Sequence, residues 1–390
     1  MHNPYAPGAG APPPEMAGRA EIRSQADIAL RRLAIGRASK GIILYGLRGV
    51  GKTVLLNQIR MDAEMAGFMT ASIELPERRS LPAQLATAFD YALRSLSRRT
   101  AAREAARNAL RVLAGFVGAW QLTYQDISVN LNVEPEPGVA DSGDLDFDLP
   151  ELLGAVGLAA QSSETCVALF IDEMQYCPID QLQLLLAGLH QATQRQLPLG
   201  LIGAGLPQVR GRVGEAKTYA ERQFDFYEIG SLSDDEARLA LARPAEAEGV
   251  HYDTDALAEI VARTQGFPYF LQEWGKHVWN VADLSPITVA EVERASERAE
   301  QALDDGFFGV RMDRLTPAEH RYVRAMARLG SGPYRSGEIA EALGRKLSSV
   351  APTRQRLIDK GVVWSPNHGQ VAFTVPLFDE FITRTSTEFD

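Results

Sequence analysis

The sequence predicts an α/β fold with a parallel sheet, followed by a helical region and a small C-terminal domain. Up to about residue 230, short apolar runs typical of buried strands alternate with helical patterns. A glycine-rich motif follows the first apolar run, and a later apolar run ends in two acidic residues. Residues 232–303 are almost wholly helical in pattern. A chain of 390 residues is long enough for two or three domains.

The glycine-rich motif has the pattern of a phosphate-binding loop, in which Gly and four residues precede Gly-Lys-Ser/Thr. It reads Gly46-Leu47-Arg48-Gly49-Val50-Gly51-Lys52-Thr53. An apolar strand at 41–45 precedes it and a helix over 53–65 follows it, so backbone N–H groups and a helix N-terminus would face the same anion. Lys52 is expected to reach the β- and γ-phosphates. Thr53 is expected to hold Mg²⁺ through its hydroxyl.

The second motif is the apolar run 166–171, which ends in Asp172 and Glu173. Open parallel sheets bind ligands at the carboxyl ends of their strands. Asp172 is therefore expected to order Mg²⁺ and its waters, and Glu173 to orient and deprotonate an attacking water.

Three further strands are predicted at 69–75, 199–203 and 224–229. Residues 80–125 are helical in pattern, and arginines recur every fourth position at Arg99, Arg103, Arg107 and Arg111. A solvated helix face is favoured for this stripe over a nucleic-acid contact. A strand at 127–133 and a hairpin partner at 145–149 indicate an insertion over about 97–149. Its residues do not indicate a chemical role.

The C-terminal residues predict a winged helix-turn-helix. Helices are predicted at 316–329, 336–343 and 349–360, and short strands at 362–364 and 370–375. Thr316 and Glu319 have the spacing of a capping box. The residues predicted to contact a DNA groove, if DNA is bound, are Ser349, Gln355, Arg356 and Lys360. The alternative is a protein-contact domain or a spacer, because residues 313–390 carry 11 Lys and Arg against 9 Asp and Glu.

Composition restricts the remaining possibilities. The net charge is −10, so the whole protein is not a general polyanion binder. No apolar run approaches the roughly 20 residues of a membrane span. The N-terminal segment 1–17 lacks the pattern of a signal peptide and is expected to be a flexible arm. Cys166 and Cys177 are expected to be buried thiols, and a cytoplasmic location is expected.

Over residues 15–385 the chain resembles AAA+ ATPases of the origin-recognition and archaeal types and the related STAND signalling ATPases. The resemblance rests on Gly18-Arg19, the phosphate loop, Asp172-Glu173, the Gly266-Phe267-Pro268 break and the C-terminal pattern. It implies a sheet of order 5-1-4-3-2, with Mg²⁺-ATP as ligand. The implied domains are an ATP-binding domain at 18–231, a helical lid at 232–312 and a winged helix at 313–390.

The resemblance also assigns residues. It implies that Gly18 and Arg19 lie beside the adenine and that Pro268 of the lid borders the nucleotide. Such ATPases usually assemble into homo-oligomers in which a neighbour supplies an arginine to the γ-phosphate. Arg222 is the candidate for that arginine here, and Arg212 is the substitute.

Two departures from the family pattern affect the expected activity. The fourth strand ends in Ile202-Gly203-Ala204-Gly205, without the usual polar sensor, and Tyr269 stands near the position of the usual lid arginine. These departures favour a slow nucleotide switch over a fast motor. With the phosphate loop, the acidic pair and the C-terminal pattern on one chain, we expect an oligomeric ATPase switch that binds double-stranded DNA through its winged helix. The alternative is a STAND-like signalling or scaffold ATPase with little hydrolysis, whose winged helix contacts protein. A metabolic kinase is disfavoured because nothing marks a small-molecule pocket, and the chain has no Asn-Lys-x-Asp guanine motif.

Overall fold

The computed structural model describes residues 2–8, 10–75, 80–98, 103–120, 131, 133–217, 220–330 and 332–386. The chain forms two compact units. The sheet unit comprises Ala20–Tyr45 and Lys52–Glu228. The helical unit comprises Met1–Arg19, Gly46–Gly51 and Ile229–Asp390.

A parallel five-stranded sheet forms the centre of the sheet unit. Its strands are β1 (Gly41–Tyr45), β2 (Met69–Glu74), β3 (Val167–Asp172), β4 (Leu199–Gly205) and β5 (Phe224–Glu228). The order β2-β3-β4-β1-β5 confirms the predicted 5-1-4-3-2 order, read from the opposite edge. Every residue of β3 is buried, because this apolar strand lies between two neighbours in the sheet interior.

Helices cover the sheet and supply the rest of its apolar core. They are α1 (Ala20–Ala34), α2 (Lys52–Met65), α3 (Leu81–Ser97), α4 (Arg103–Trp120), α5 (Leu145–Gln161), α6 (Ile179–Gln194), α7 (Gln208–Ala216) and α8 (Ala220–Gln223). Cys166 and Cys177 are buried free thiols, as expected. Burial raises the pKa of both thiols to about 12, which leaves them unreactive at neutral pH.

The hairpin partner expected at 145–149 is wrong, because these residues form the first turn of α5. Asp144 caps that helix by accepting the N–H of Asp146 at 3.0 Å. Asp148 is buried and accepts hydrogen bonds from the indole N–H of Trp120 at 3.0 Å and the hydroxyl of Ser142 at 2.7 Å. Asp148 thus joins the first turn of α5 to the end of α4 and to the chain just before α5. Most of the strand predicted at 127–133 lies outside the described residues.

Part of the arginine stripe on α4 is described. Arg103 and Arg107 are exposed, and Arg111 forms an ion pair with Glu136 at 2.9 Å. Arg99 lies outside the described residues. These arginines therefore lie on a solvent-exposed helix face, and the choice between a solvated face and a nucleic-acid contact stays a prediction.

Helices also dominate the region predicted as the lid. They are α9 (Asp234–Ala247), α10 (Thr254–Thr264), α11 (Pro268–Val281) and α12 (Val289–Leu303), followed by a π-helical turn (Asp304–Gly309) and α13 (Val310–Asp313). The break at 265–267 is where the sequence predicts it. Pro268 is acceptable at the first position of α11, where the backbone has no helical partner for an N–H.

The C-terminal elements are α14 (Pro317–Arg328), β6 (Tyr334–Arg335), α15 (Ser336–Ala342), α16 (Leu347–Asp359), β7 (Val363–Trp364), β8 (Gln370–Phe373) and α17 (Phe378–Ser386). The three predicted helices and the hairpin are present, and the strands form an antiparallel sheet of order β6-β8-β7. The capping box is also present, since Thr316 N–H donates to Glu319 at 2.7 Å. Strand β6 and helix α17 are additions to the prediction.

The N-terminal segment is packed on the helical unit, in contrast to the expected flexible arm. Tyr5 is only 5 % exposed, and its hydroxyl donates to the carbonyl of Leu241 at 2.6 Å. The Asn3 side-chain amide donates to the carbonyl of Lys276 on α11. A Cβ at Gly275 would lie 2.6 Å from the Tyr5 ring, so only glycine admits the ring at this position. The contacts of Tyr5 and Asn3 therefore hold a segment whose proline-rich composition predicted a flexible arm.

Candidate nucleotide site

The phosphate loop has the backbone conformation that its glycines permit. Gly49 and Gly51 have φ values of 81° and 87°, in the left-handed region that other residues avoid. Gly46 packs so closely that an added Cβ would lie 2.0 Å from the carbonyl oxygen of Ile229. Val50 is buried and anchors the loop.

The two predicted Mg²⁺ ligands are adjacent in the sheet unit. Lys52 and Thr53 are the first residues of α2, directly after Gly51 in the chain. The Thr53 hydroxyl donates to the Asp172 carboxylate, with an oxygen–oxygen distance of 2.6 Å. Asp172 is the last residue of β3, at the carboxyl edge of the sheet. Hydroxyl and carboxylate oxygens are the ligands that Mg²⁺ prefers, so this pair fits the metal.

Asp172 is in an unusual electrostatic environment. Burial raises its pKa above the ordinary value, and the neighbouring Glu173 acts in the same direction. The hydrogen bond from Thr53, the N–H of Glu173 and the charge of Lys52 act in the opposite direction without cancelling the effect of burial. A bound cation would stabilise the charged form of this desolvated carboxylate more strongly than that of an exposed one.

Glu173 has a left-handed backbone conformation, with φ 54° and ψ 38°. Its N–H donates to the Asp172 carboxylate at 2.8 Å. The side-chain amide of Gln175 donates to the Glu173 carboxylate. Strain at a non-glycine residue is typical of functional positions.

Within the helical unit, α11 contacts the phosphate loop. The N–H of Tyr269 donates to the carbonyl oxygen of Gly49 at 3.2 Å, one residue after Pro268. The Tyr269 ring stacks on Phe307 with centroids 4.8 Å apart, and Phe307 would lie 3.4 Å from a Cβ at Gly49. Two aromatic rings thus lie against the phosphate loop.

Arg311 is the cation that accompanies these rings. Its guanidinium lies 4.1 Å from the Phe307 centroid and also donates to the Phe307 carbonyl. Burial lowers the pKa of Arg311 to about 10, and the positive charge of Arg48 adds to the effect. At neutral pH Arg311 remains charged.

Gly18 and Arg19 contact residues at and just before the start of the predicted lid. The Arg19 guanidinium donates to the carbonyl of Gly230 at 2.7 Å. Gly18 has a φ of 71°, and an added Cβ would lie 2.5 Å from the Glu236 carboxylate. Burial lowers the pKa of Arg19, while Glu236 partly offsets this.

The two candidate arginine fingers differ in exposure. Arg222 lies on the short helix α8 and is exposed. Arg212 on α7 is half-buried, and its guanidinium donates to the carbonyl of Cys177. Of the two side chains, that of Arg222 is therefore the more open to solvent.

The four predicted DNA contacts are all on or next to α16. Lys360 donates to the fully buried Glu319 carboxylate at 2.7 Å and to the Arg314 carbonyl at 2.9 Å. Arg356 lies 3.6 Å from the same carboxylate, with 54 % of its side chain exposed. Gln355 and Ser349 are exposed, although each bonds within the helix region, to Asp359 and the Lys346 carbonyl. Lys360 is thus engaged inside its own domain, while the other three remain at the surface.

Sequence reasoning missed Gln175, Tyr269 as a loop contact, Phe307 and Arg311. Their partners are distant in sequence or are backbone atoms, which local patterns do not reveal. For Gln175 a signal existed, because a polar side chain two residues after Asp172-Glu173 stands among apolar neighbours.

Comparisons with known proteins agree with this geometry. An AAA ATPase domain model matches residues 15–202, and a model described as "Domain of unknown function (DUF8462)" matches residues 305–382. The Walker-type ATPase PABY2304 of Pyrococcus abyssi is similar in structure, with a TM-score of 0.58 and 16 % identity over 94 % of this chain and 96 % of that chain. The phosphate loop, the sheet order and the matched domain together define a P-loop ATPase fold.

Two more distant structures are similar over most of their length. The Aeropyrum pernix ORC1 protein in complex with DNA has a TM-score of 0.47 and 16 % identity, covering 97 % of this chain and 94 % of that chain. The Thermotoga maritima RuvB Holliday junction branch migration motor has a TM-score of 0.46 and 14 % identity, covering 96 % of each. No curated protein matches the chain in sequence. Among the described helices, none has the length and apolar character needed to span a membrane.

Proposed function

We propose that the protein is a cytosolic Mg²⁺-ATP-dependent switch that hydrolyses ATP slowly. The observation that carries this proposal is the 2.6 Å contact between Thr53 and Asp172, which brings the end of the phosphate-loop motif to the acidic end of β3. In phosphate-loop ATPases this pair of oxygen ligands holds Mg²⁺. The missing polar sensor on β4 supports slow turnover.

The chain's own residues divide the work of hydrolysis. The loop N–H groups and Lys52 bind the β- and γ-phosphates, and Gly18, Arg19 and Pro268 border the base and ribose. Thr53 and Asp172 would hold Mg²⁺, which neutralises charge on the phosphate oxygens when bound. Glu173 orients a water for in-line attack and accepts its proton as the bond from the γ-phosphorus to the bridging oxygen breaks.

The proposal extends to assembly and DNA. Arg222 is exposed, which suits an arginine that acts on the nucleotide of a neighbouring copy in a homo-oligomer. The C-terminal helices and hairpin follow the order of a winged helix-turn-helix, whose third helix reads the major groove. Ser349, Gln355 and Arg356 on α16 are the exposed candidates for contact with double-stranded DNA.

ATP turnover by the purified protein, with and without duplex DNA, tests this function. Lys52→Ala and Glu173→Gln serve as controls that remove phosphate binding and the general base. Turnover that increases with DNA and is lost in both variants supports the proposal. Tight nucleotide binding with negligible turnover in all conditions contradicts hydrolysis.

A second candidate is a STAND-like signalling or scaffold ATPase whose C-terminal domain contacts protein. The engagement of Lys360 with Glu319 favours it, because one of the four predicted DNA contacts is used internally. Retention on DNA or heparin resin at moderate salt separates the candidates, since phosphate contacts weaken steeply with salt. A protein that flows through both resins at low salt is the signalling candidate.

A further inference from the structure

Gln175 connects the acidic motif to the end of β4. It lies two residues after Glu173 and is only 7 % exposed. Its amide NH₂ donates to the Glu173 carboxylate, and its amide oxygen accepts the N–H of Leu206 at 2.9 Å. The amide nitrogen and the amide oxygen of this buried side chain thus both form hydrogen bonds. The nitrogen bonds the proposed general base, and the oxygen bonds the backbone after β4.

The glycine at the end of β4 leaves room for the Gln175 side chain. An added Cβ at Gly205 would lie 2.8 Å from the Gln175 amide oxygen and 3.2 Å from Val209, so a larger residue would displace the glutamine. This strand end carries no polar sensor side chain. Instead, the backbone N–H of Leu206, directly after β4, holds the Gln175 amide.

We propose that Gln175 is a positioning residue that holds the Glu173 carboxylate in its catalytic orientation. This inference rests on the proposed ATPase function. Glu173 has a strained, left-handed backbone, so its side-chain direction is not fixed by a regular strand or helix. A donor fixed at its other end to Leu206 restricts that direction, much as outer hydrogen bonds orient catalytic groups.

The amide chemistry also suits the role. Glutamine supplies a neutral N–H donor, which orients the Glu173 carboxylate without placing a second charge beside it. A glutamate at position 175 would place a second negative charge against Glu173 and have no hydrogen to donate. Gln175→Glu should therefore disrupt the arrangement with little change in side-chain volume.

The test compares Gln175→Ala and Gln175→Glu with Gln181→Ala. Gln181 is the matched control, because it is also 7 % exposed and its amide oxygen also accepts a backbone N–H, that of Leu81 at 2.9 Å. We expect the Gln175 variants to lower kcat roughly 10- to 100-fold, as misplacement of a catalytic group does, while the nucleotide Kd stays within about twofold. Gln181→Ala should change melting temperature but not kcat.

A double variant separates positioning from a general structural role. In the Glu173→Gln background, where turnover is already lost, Gln175→Ala should leave the nucleotide Kd unchanged, because Gln175 acts through Glu173 and not on nucleotide binding. Gly205→Ala provides a second route, since it displaces the Gln175 amide without removing it. Unchanged or increased kcat in a folded Gln175→Ala protein overturns the inference alone. Absence of turnover in the unmodified protein overturns the ATPase function and this inference with it.

Discussion

The backbone N–H of Arg48 donates a hydrogen bond to the carbonyl oxygen of Thr374, at 2.9 Å. Arg48 belongs to the phosphate loop, and Thr374 directly follows β8 of the C-terminal domain. The Arg48 side chain extends the contact, because its Nε donates to the carbonyl of Gly361 at 3.3 Å. The fully buried Thr374 hydroxyl donates to the same Gly361 carbonyl at 2.6 Å. Hydrogen bonds therefore connect the phosphate loop directly to the C-terminal hairpin.

Arg48→Ala should loosen the hairpin. The substitution removes the bond from Nε to Gly361 but leaves the backbone bond to Thr374, so we expect a loss of about 1 kcal/mol in local stability. Hydrogen exchange of amides at 361–375 should become about fivefold faster. Arg345→Ala, an exposed arginine of the same domain, is the control and should leave exchange unchanged. Equal protection in both variants would mean that the Arg48 side chain does not hold the hairpin.

Asp172→Asn should stabilise the nucleotide-free protein while it impairs Mg²⁺-nucleotide binding. Burial raises the folded-state pKa of Asp172, so its favourable contribution is complete below the ordinary value of 3.8 and is lost as the pH rises through the folded value. At pH 7 the charge therefore weakens folding, and an uncharged amide should raise the melting temperature by a few degrees. The difference should shrink towards pH 4. A lower melting temperature for the variant at pH 7 would contradict this assignment.

Tyr5→Ala should destabilise the helical unit. The substitution empties an aromatic site against Gly275 and removes the hydrogen bond to Leu241, at an expected cost of about 3 kcal/mol. Tyr5→Phe keeps the ring and should cost about 1 kcal/mol. Urea denaturation measures both values, and Tyr91→Ala, at a position 75 % exposed, should be near neutral. Equal stability of all three variants would show that the segment does not anchor the unit.

The sheet could be predicted because its determinants are local. Each strand is a short apolar run, and the observed bounds of β1, β2 and β5 differ from the predicted ones by at most one residue. Likewise, the hydroxyl of Thr53 and the carboxylate of Asp172 could be paired in advance, because both lie at the carboxyl ends of strands in one parallel sheet.

The errors arose where a distant residue decides the structure. Residues 145–149 resemble a strand in sequence, but in the structure they begin a helix in which Asp148 accepts a hydrogen bond from the distant Trp120. The N-terminal segment has the composition of a flexible linker, but Tyr5 packs beside the distant Gly275 and holds the segment in place. Gln175 could be noticed in the sequence, but its connection to Leu206 depends on how strands β3 and β4 pair. Local composition does not encode such contacts.

Glu319→Gln should destabilise the C-terminal domain at neutral pH. Burial alone would raise the pKa of Glu319, yet hydrogen bonds from Lys360 and Thr316 hold it below the ordinary value of 4.5. The stabilisation is therefore present above pH 4.5 and is lost as the pH falls through the folded value. We expect a loss of about 2 kcal/mol at pH 7, reduced from the fully buried case because Lys360 is partly exposed.

Denaturation at a series of pH values measures this effect. The unmodified protein and Glu319→Gln should converge as the pH falls below 4.5, because protonation then removes the charge that the substitution removes. Glu338→Gln is the control, since Glu338 caps α15 from an exposed position. If the difference in free energy of unfolding between the two proteins persists below pH 4.5, the loss comes from packing and not from the ion pair.

Arg356→Ala should weaken duplex DNA binding if α16 lies in a groove. Its side chain is 54 % exposed, so one lost phosphate contact should lower affinity several-fold and reduce the slope of log affinity against log salt by about one. Fluorescence anisotropy with labelled duplex at several salt concentrations measures both quantities. Arg103→Ala, on the exposed stripe of α4, is the matched control and should change neither. The opposite result, in which only the Arg103 variant binds less DNA, would move the interface from α16 to that stripe.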